Sequence, residues 1–384
     1  MDKVGKAALG VRTWLTDSAL PFWGVDGVDG RGAFQERTDF VGAPDPRCAR
    51  RMRVQARQLH VFSESAVRGW WPPARDVADQ GFEVLSRLCW APDGQPGFVH
   101  ALNPDLTPAD HTRDAYDHAF GLFAACWYYK ASGDPRARVL ARDILAFCDQ
   151  SMAAPVGGGY LESLPPSLPR RSNPHMHMLE ACLAGASFCG DAVYLDRARS
   201  LVGLFAAHFF DKKTGTYGEY FTEDWRPAPG AEGQVVEPGH HCEWVWLLDW
   251  ANRLGIVEGE PFIAPLYDWA MAHGLDGGGL AIDECDRQGR QVRTSRRAWV
   301  QTELIKAHVT MARRGVAGAA DRAAQATLDV LDSYLATNKP GLWIDQIDAE
   351  GDGMADWVPA STLYHLLVAF RELMDFAGEN GSKS

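Results

Sequence analysis

The feature that most constrains this chain is a helical pattern that returns about every sixty residues. Apolar side chains recur at i, i+3, i+4 and i+7 in five long stretches, of which Tyr116–Ser132 is an example. Further helical segments lie between them, bounded by loops rich in Gly, Pro and Asp. Strand signals are scarce. The sequence therefore predicts an all-α fold built from helical hairpins.

A second regularity concerns the polar residues that interrupt the apolar helical runs. A fixed period of supersecondary units indicates a closed or stacked array. Six hairpins, each an inner helix followed by its outer partner, would close into an (α/α)6 barrel whose polar residues meet at one end of a central cavity. No composition break marks a boundary, so we expect one domain over residues 1–384. The recurring residues are Arg57, Asp117, His177, His240, Gln301 and His365, at intervals of 60, 60, 63, 61 and 64 positions.

Charge and composition exclude several classes of protein. A net charge of -12 argues against a nucleic-acid partner, which needs a basic footprint. No apolar stretch is long enough to cross a membrane, and the N-terminal segment does not read as a signal peptide. The eight cysteines form no C-x-x-C pair and sit mostly in apolar helical contexts. We therefore expect buried free thiols and a cytoplasmic location.

The stretch SNPHMHMLE places two histidines at the start of a helix. Asn173 suits an N-cap and the following proline suits the first helical position. His175 and His177 lie about 200° apart on a helix, which disfavours a metal site made from both. Asn173 and His177 share one face. We expect His177 to point inward with Asn173, the alternative being an ordinary core histidine.

The stretch VVEPGHHCEWVWLL marks a second helix start. His240 and Glu243 fall on one face, and a carboxylate beside an imidazole fixes its tautomer and raises its basicity. His241 is expected to pack elsewhere. Two alternatives stay open: an incidental His–Glu pair on a surface helix, or a zinc site shared with His177, for which no third ligand of recognisable spacing is present.

Two further polar positions point to the same end of the barrel. His365 follows Pro359 closely, so three histidines lie soon after Pro-marked helix starts. Helix N-termini there would supply positive potential that favours an anionic intermediate. Arg57 lies within an apolar helix, where an unpaired cation is costly, and must meet a partner or a ligand oxygen.

Aromatic and acidic residues complete the predicted site. We expect at least one of Trp299, Trp343 and Trp357 to stack on a sugar and the others to be core. Glu303 is either a cavity residue or a hydrogen-bond partner that spans the barrel. The pair Asp117–His118 has the same two interpretations, with the structural one favoured.

Five motifs in this order resemble the N-acylglucosamine 2-epimerase superfamily: VQARQ, YDHAF, RSNPHMHMLEA, EPGHHCEWVWLL and VPASTLYH. The resemblance runs from about residue 20 to residue 375. The superfamily includes acylglucosamine 2-epimerase, mannose isomerase, sulfoquinovose isomerase and cellobiose 2-epimerase, and its fold is an (α/α)6 barrel.

The resemblance implies roles for individual residues. His240 and His365 would be the two general acid/base residues, with Glu243 orienting His240. It implies no metal and no cofactor, and homodimers occur in the superfamily. Arg57, Asn173 and His177 would contact the substrate. The aromatic and acidic candidates named above, Trp299, Trp357 and Glu303, complete the set of expected substrate contacts.

The predicted chemistry is proton transfer next to a sugar carbonyl. Histidine is a suitable base, and Arg57, His177 and helix N-termini would stabilise the enediolate. The motifs favour isomerisation of the D-mannose/D-fructose type. Epimerisation at C2 and isomerisation of another sugar, such as a sulfonated one, remain alternatives. A glycosidase or lyase would need paired carboxylates, and a non-catalytic binding protein is a further alternative.

Overall fold

The computed structural model describes residues 2–256 and 259–381, which fold into helices packed in two layers. One-turn π segments join α1 to α2 and extend α4 and α8; they are Leu15–Ala19, Leu85–Cys89 and Phe205–Phe209. The helices are α1 (Lys3–Trp14), α2 (Leu20–Val25), α3 (Met52–Arg68), α4 (Ala74–Val84), α5 (Ala115–Ser132), α6 (Pro135–Ser151), α7 (Asn173–Phe188), α8 (Ala192–Leu204), α9 (Pro238–Arg253), α10 (Glu260–His273), α11 (Ala298–Arg313), α12 (Ala319–Ser333) and α13 (Thr362–Gly381).

The inner layer is a closed ring of six helices. Helices α3, α5, α7, α9, α11 and α13 each pack against the next, and α13 packs against α3. An inner helix meets the ring interior on one side and the outer layer on the other, so it is apolar almost all round. The predicted all-α fold and (α/α)6 barrel are confirmed.

The outer layer differs from the expectation in one respect. Helices α4, α6, α8, α10 and α12 each pack on the inner helix that precedes them, as predicted. The sixth outer position is filled by α1, which packs on α13 and α12. The expectation that every inner helix is followed by its own partner is therefore wrong for the last pair, because ring closure brings the two ends of the barrel side by side.

Apolar packing at this closure involves tryptophans. The Trp14 ring lies 6.4 Å from that of Trp343 and 6.0 Å from that of Phe370. Trp343 also packs on Trp23 at 5.1 Å and is fully buried. Trp343 is therefore a core residue and does not reach a cavity.

Short antiparallel strands join neighbouring hairpins at the end of the barrel where the inner helices begin. Arg113–Asp114 pairs with Ser163–Leu164, and Arg37–Thr38 pairs with Val358–Pro359. Strands of two or three residues are too short for a period-two pattern, which explains the weak strand signal. The remaining strands are Arg50–Arg51, Ala101–Leu102, Pro108–Asp110, Arg170–Arg171, Phe210–Asp211, Thr216–Tyr217, Tyr220–Phe221, Val235–Val236, Glu284–Asp286, Gln291–Arg293, Arg296–Arg297 and Gln346–Ile347.

One side chain near the start of each of five inner helices holds the preceding loop. It accepts a backbone N–H from a loop residue at 2.8 to 3.1 Å. This device fixes the loops that form the barrel mouth. The pairs, acceptor first, are Gln55 with Phe34, His118 with Phe98, His175 with Tyr160, His241 with Tyr217 and Gln301 with Ala281.

The predicted set of six recurring polar residues therefore divides in two. Gln301 accepts the backbone N–H of Ala281 in the preceding loop, and Asp117 binds the Arg53 guanidinium and the His100 ring. Neither side chain lines the cavity. The contacts of Asp117 and His118 support the structural interpretation of this pair. His175 is turned away from the cavity, as the helical geometry predicts.

None of the helices within residues 2–256 and 259–381 is both long and apolar enough to cross a membrane.

The cysteines match the sequence-based expectation. Seven of the eight are buried, and all eight are free thiols. Burial raises the pKa of the Cys89 and Cys182 thiols, to about 12 in the case of Cys89. Buried thiols of this kind act as small apolar side chains.

Candidate active site

A cavity of about 190 Å³ opens at the N-terminal ends of the inner helices. All six inner helices contribute to it, through residues at or near their N-terminal ends. Most of the residues predicted as site residues lie together here. The lining residues are Arg57, Tyr116, Asn173, His177, Glu237, His240, Glu243, Arg297, Trp299 and His365.

His240 is held at both ring nitrogens. Its Nδ1 lies 2.9 Å from Glu219 Oε2, and its Nε2 lies 3.1 Å from Asn173 Nδ2. The predicted partner, Glu243, does not make this contact. Its Oε1 lies 3.9 Å from both His177 Nδ1 and Lys306 Nζ, deeper in the barrel. The carboxylate that orients His240 is therefore Glu219, and the assignment of that role to Glu243 is wrong.

The surroundings of His240 favour the imidazolium form. Burial by itself would lower the pKa of this ring. The carboxylates of Glu219, Glu237 and Glu243 outweigh burial and raise the pKa of His240 to about 9. His240 is thus a proton donor at neutral pH, and in this form its Nε2–H requires the Asn173 amide to present Oδ1, which has no other hydrogen-bond partner, as the acceptor.

His365 has the opposite charge state. Burial, together with the nearby cations of Arg57 and Lys306, lowers the pKa of His365 well below its ordinary value. Its Nδ1 lies 2.9 Å from Glu303 Oε1, which leaves Nε2 for the cavity. A neutral ring with a free nitrogen is a proton acceptor.

Glu303 lies behind His365 and not in the cavity. The side chain is fully buried, and Oε2 lies 2.5 Å from Lys306 Nζ. Burial and the adjacent Glu243 carboxylate raise the pKa of Glu303, while Lys306 opposes the shift. The structure therefore does not give Glu303 the predicted contact with substrate, because the His365 ring stands between it and the cavity.

His177 is a buried neutral ring on the cavity wall. Burial lowers its pKa to about 3, against the opposing effect of Glu243. Its Nδ1 lies 3.0 Å from Glu180 Oε2, and Glu180 in turn accepts a hydrogen bond from the Tyr364 hydroxyl. The chain of contacts fixes the ring so that Nε2 is the nitrogen available to a ligand.

Arg57 supplies a cation to the cavity. Its Nη2 donates to the Tyr116 hydroxyl at 2.6 Å, and its guanidinium lies 4.1 Å from the centre of the Phe120 ring. Over the described part of the chain, Arg57 forms no ion pair with a carboxylate, although its side chain is only 6% exposed. A buried cation without an anionic partner is suited to a ligand oxygen that develops negative charge.

The two tryptophans predicted to contact sugar occupy different places. The Trp299 ring lies 5.0 Å from the His240 ring and 5.7 Å from the His365 ring, so it forms the wall between them. Trp357 lies on a loop, where the Arg37 guanidinium covers its ring at 4.4 Å. Trp357 is not among the residues that line the cavity.

Several residues that line or support the cavity are not predicted by the sequence patterns. Glu219 is the most important, and a signal for it exists: it lies two residues after the loop residue that His241 holds. Carboxylates occupy the same offset in other hairpins, at Glu36, Glu162 and Asp283. Tyr116, Glu180, Glu237, Arg297 and Lys306 carry no comparable signal, because their roles depend on contacts between helices.

Two groups of side chains could hold a metal ion within the described residues. They are His177 with Glu180 and Glu243, and Glu219 with Glu237 and His240. Each group already has a side-chain cation beside it. Lys306 lies 3.9 Å from Glu243, and Arg297 lies 3.1 Å from Glu237.

Comparison with known proteins places this geometry in a family. The model of the family described as N-acylglucosamine 2-epimerase (GlcNAc 2-epimerase) matches residues 32–369. The chain belongs to this family. The predicted resemblance is therefore confirmed, and so is the prediction of an isomerase in the broad sense, either an aldose–ketose isomerase or a sugar 2-epimerase.

Individual relatives carry both kinds of name. The mannose-6-phosphate isomerase of Rhizobium meliloti is 36% identical over 94% of this chain and 95% of its own. The D-mannose isomerase of Thermobifida fusca is 27% identical over 87% of this chain and 86% of its own. The solved cellobiose 2-epimerase of Spirochaeta thermophila shares the fold, with a TM-score of 0.87 at 24% identity over 98% of both chains. A homodimer stays a prediction.

Proposed function

We propose that this N-acylglucosamine 2-epimerase family member is an aldose–ketose isomerase of the D-mannose/D-fructose type. It would act through a cis-enediolate and use histidine side chains without a metal. One observation carries the proposal: His240 and His365 flank Trp299 in one cavity, where the carboxylates beside His240 favour its protonated form while burial and nearby cations favour neutral His365. A pair of groups whose environments push their pKa values apart is the arrangement expected of a general acid and a general base.

The proton transfers follow from these charge states. Neutral His365 takes the proton from C2 of the open-chain aldose, and the released electron pair forms the C1–C2 double bond. Imidazolium His240 gives its proton to the carbonyl oxygen O1. Arg57 stabilises the negative charge that develops on the oxygens.

The second half of the reaction completes the exchange. His365 returns its proton to C1, and His240 takes the proton of the O2 hydroxyl as the C2 carbonyl forms. The product is the ketose, and both rings regain their starting charge. No group outside the cavity is needed for the balance of protons.

A 2-epimerase is the second candidate function. The same C2 proton would be removed, and His240 would then deliver a proton to the opposite face of C2. The observation in favour of this route is that His240 is itself protonated and lies across Trp299 from His365. D-Mannose would then give D-glucose, and an N-acylated hexose or an oligosaccharide could replace it as substrate.

Proton NMR of the EDTA-treated protein with D-mannose in D2O tests the proposal. The expected result is D-fructose with deuterium at C1. The His240→Gln and His365→Gln variants should each lose at least about a hundredfold in rate, as expected for a general acid or base. Formation of glucose with deuterium at C2 would show that the protein is a 2-epimerase and not an isomerase. Loss of activity with EDTA that a metal restores would contradict the metal-free mechanism.

A further inference from the structure

Three hairpins share a charge pattern at the barrel mouth that the fourth hairpin does not follow. In these three hairpins a loop carboxylate binds both the backbone N–H and the guanidinium of an arginine just before the inner helix. The backbone contacts measure 2.8 to 2.9 Å. These opposite-charge pairs are Arg51 with Glu36, Arg171 with Glu162 and Arg297 with Asp283.

At the fourth hairpin the arginine position holds Glu237. Its backbone N–H donates to Glu219 Oε1 at 3.3 Å, which is the same backbone contact as in the other hairpins. The second oxygen of Glu219 has no guanidinium to bind, and it meets His240 Nδ1 at 2.9 Å. Two carboxylates thus face each other, and a cation between them is favoured.

The other hairpins show what an arginine would do at this position. Arg171 occupies both oxygens of Glu162, one through its backbone and one through its side chain. An arginine at position 237 would occupy Glu219 in the same way and leave His240 without its partner. The Glu237 carboxylate instead accepts a hydrogen bond from Arg297 Nη2 at 3.1 Å.

We propose that Glu237 is a positioning residue for the reaction: by standing where three other hairpins carry an arginine, it leaves Glu219 free to hold His240 and adds a second negative charge beside that ring. The inference rests on the proposed function only for the role of His240 as the acid. The placement of Glu237 and Glu219 beside His240 depends only on the contacts given above.

The charged and titratable groups around His240 come from every neighbouring element. Glu243 lies on its own helix, Glu237 is the N-cap of that helix, and Glu219 comes from the loop. His177 on α7 and His365 on α13 are both neutral, and Arg297 precedes α11, where it binds Glu237 and Asp283. Carboxylates therefore dominate the immediate surroundings of the ring.

Two substitutions at one position test the proposal. In ¹⁵N-labelled protein, NMR titration of the His240 ring should show its pKa falling by about one unit or more in Glu237→Gln, because one of the carboxylate charges is removed. It should fall further in Glu237→Arg. The alkaline limb of kcat/KM for D-mannose should move to lower pH in the same order. The rate with Glu237→Arg should drop by about a hundredfold or more, as for loss of an acid catalyst.

Arg51→Gln is the matched control. This variant removes the positive charge at the equivalent position of the first hairpin, on the opposite side of the ring from His240. It should lower the melting temperature but leave both the His240 titration and the alkaline limb of kcat/KM unchanged. An unchanged His240 titration in both Glu237 variants would overturn the proposal. A shifted titration in a protein that converts no sugar would support the positioning role and contradict the proposed function instead.

Discussion

At the scale of single residues, the neighbours of a buried histidine decide whether burial determines its charge. Burial lowers the pKa of His365, and the nearby cations add to that shift, whereas three carboxylates around the equally buried His240 overcome burial and raise its pKa to about 9. The sequence motif marks both residues equally. Their division into acid and base depends on Glu219 and Lys306, which reach them through the fold.

The pH dependence of turnover follows from these two shifts. His365 must be neutral, so kcat/KM should stay high below pH 6.5 and decline only in more acidic solution. His240 must be protonated, so kcat/KM should decline as the pH rises through about 9. Initial rates with D-mannose over this range measure both limbs. Glu219→Gln should move the alkaline limb alone, and an alkaline limb near pH 6.5 in the unmodified protein would contradict this assignment.

The two tryptophans offer a second test at this scale. Trp299→Leu keeps apolar bulk but removes the aromatic wall between the two rings, and should lower kcat/KM for D-mannose by about tenfold, as expected for one aromatic contact. Trp357→Leu is the matched control, since its ring lies under Arg37 outside the cavity. Equal losses in the two variants would show that Trp299 has no special contact with the sugar.

At the scale of elements, each inner helix uses one side chain to hold its loop and others to build the cavity. His175 and His241 serve the loops through Nε2, and burial lowers the pKa of each to about 3. Gln55 and Gln301 make the same contact in other hairpins. An amide and a neutral imidazole are thus interchangeable at this position.

Replacing a loop-holding histidine by glutamine tests this equivalence. Stability from a buried neutral histidine is complete above pH 6.5 and is lost as the pH falls toward the folded pKa, because the unfolded chain binds the proton first. His241→Gln should keep the fold and the activity. At pH 5 the free energy of unfolding of the variant should be about 2 kcal/mol less reduced by acid than that of the unmodified protein, as measured by urea unfolding.

The matched comparison for this test lies on helix α7. His175→Gln should behave like His241→Gln, whereas His177→Gln should show a similar gain in acid stability, because burial lowers its pKa to about 3 as well, but should lose turnover. A loss of turnover in His175→Gln equal to that in His177→Gln would indicate that His175 also acts in the site. The outcome therefore also tests the sequence-based argument that the two histidines face opposite ways.

The sequence predicts the elements better than the connections between them. Apolar periodicity and Pro-marked helix starts are local, so the six inner helices and the positions of Arg57, His177, His240 and His365 could be predicted. Glu219 lies in an irregular loop, and Glu303 points to the cavity or away from it according to packing. Such assignments depend on which helix faces which, and no local pattern encodes that.

At the scale of the whole molecule, the acidic charge of the chain extends to the approach to the site. A larger cavity of about 620 Å³ lies at the same end of the barrel. Its two guanidiniums, Arg171 and Arg293, are paired with Glu162 and Glu284. Further carboxylates on its wall are Asp110, Asp114 and Glu232.

This charge predicts a preference for uncharged sugars. D-Mannose 6-phosphate should have a kcat/KM at least about tenfold below that of D-mannose at low salt, and added salt should narrow the difference by screening the repulsion. Glu232→Gln should raise the rate with the phosphorylated sugar and leave that with mannose unchanged. Faster turnover of the phosphorylated sugar by the unmodified protein would contradict the prediction.

The closure of the ring by α1 and α13 has a consequence for biosynthesis. A ribosome releases α1 well before α12 and α13, so the inner face of α1 has no partner until those helices have emerged. Until then Trp14 and Trp23 lack Trp343 and Phe370, their packing partners in the finished barrel. The nascent chain thus presents an apolar surface for the full duration of synthesis, when such surfaces are most prone to aggregate or to recruit a chaperone.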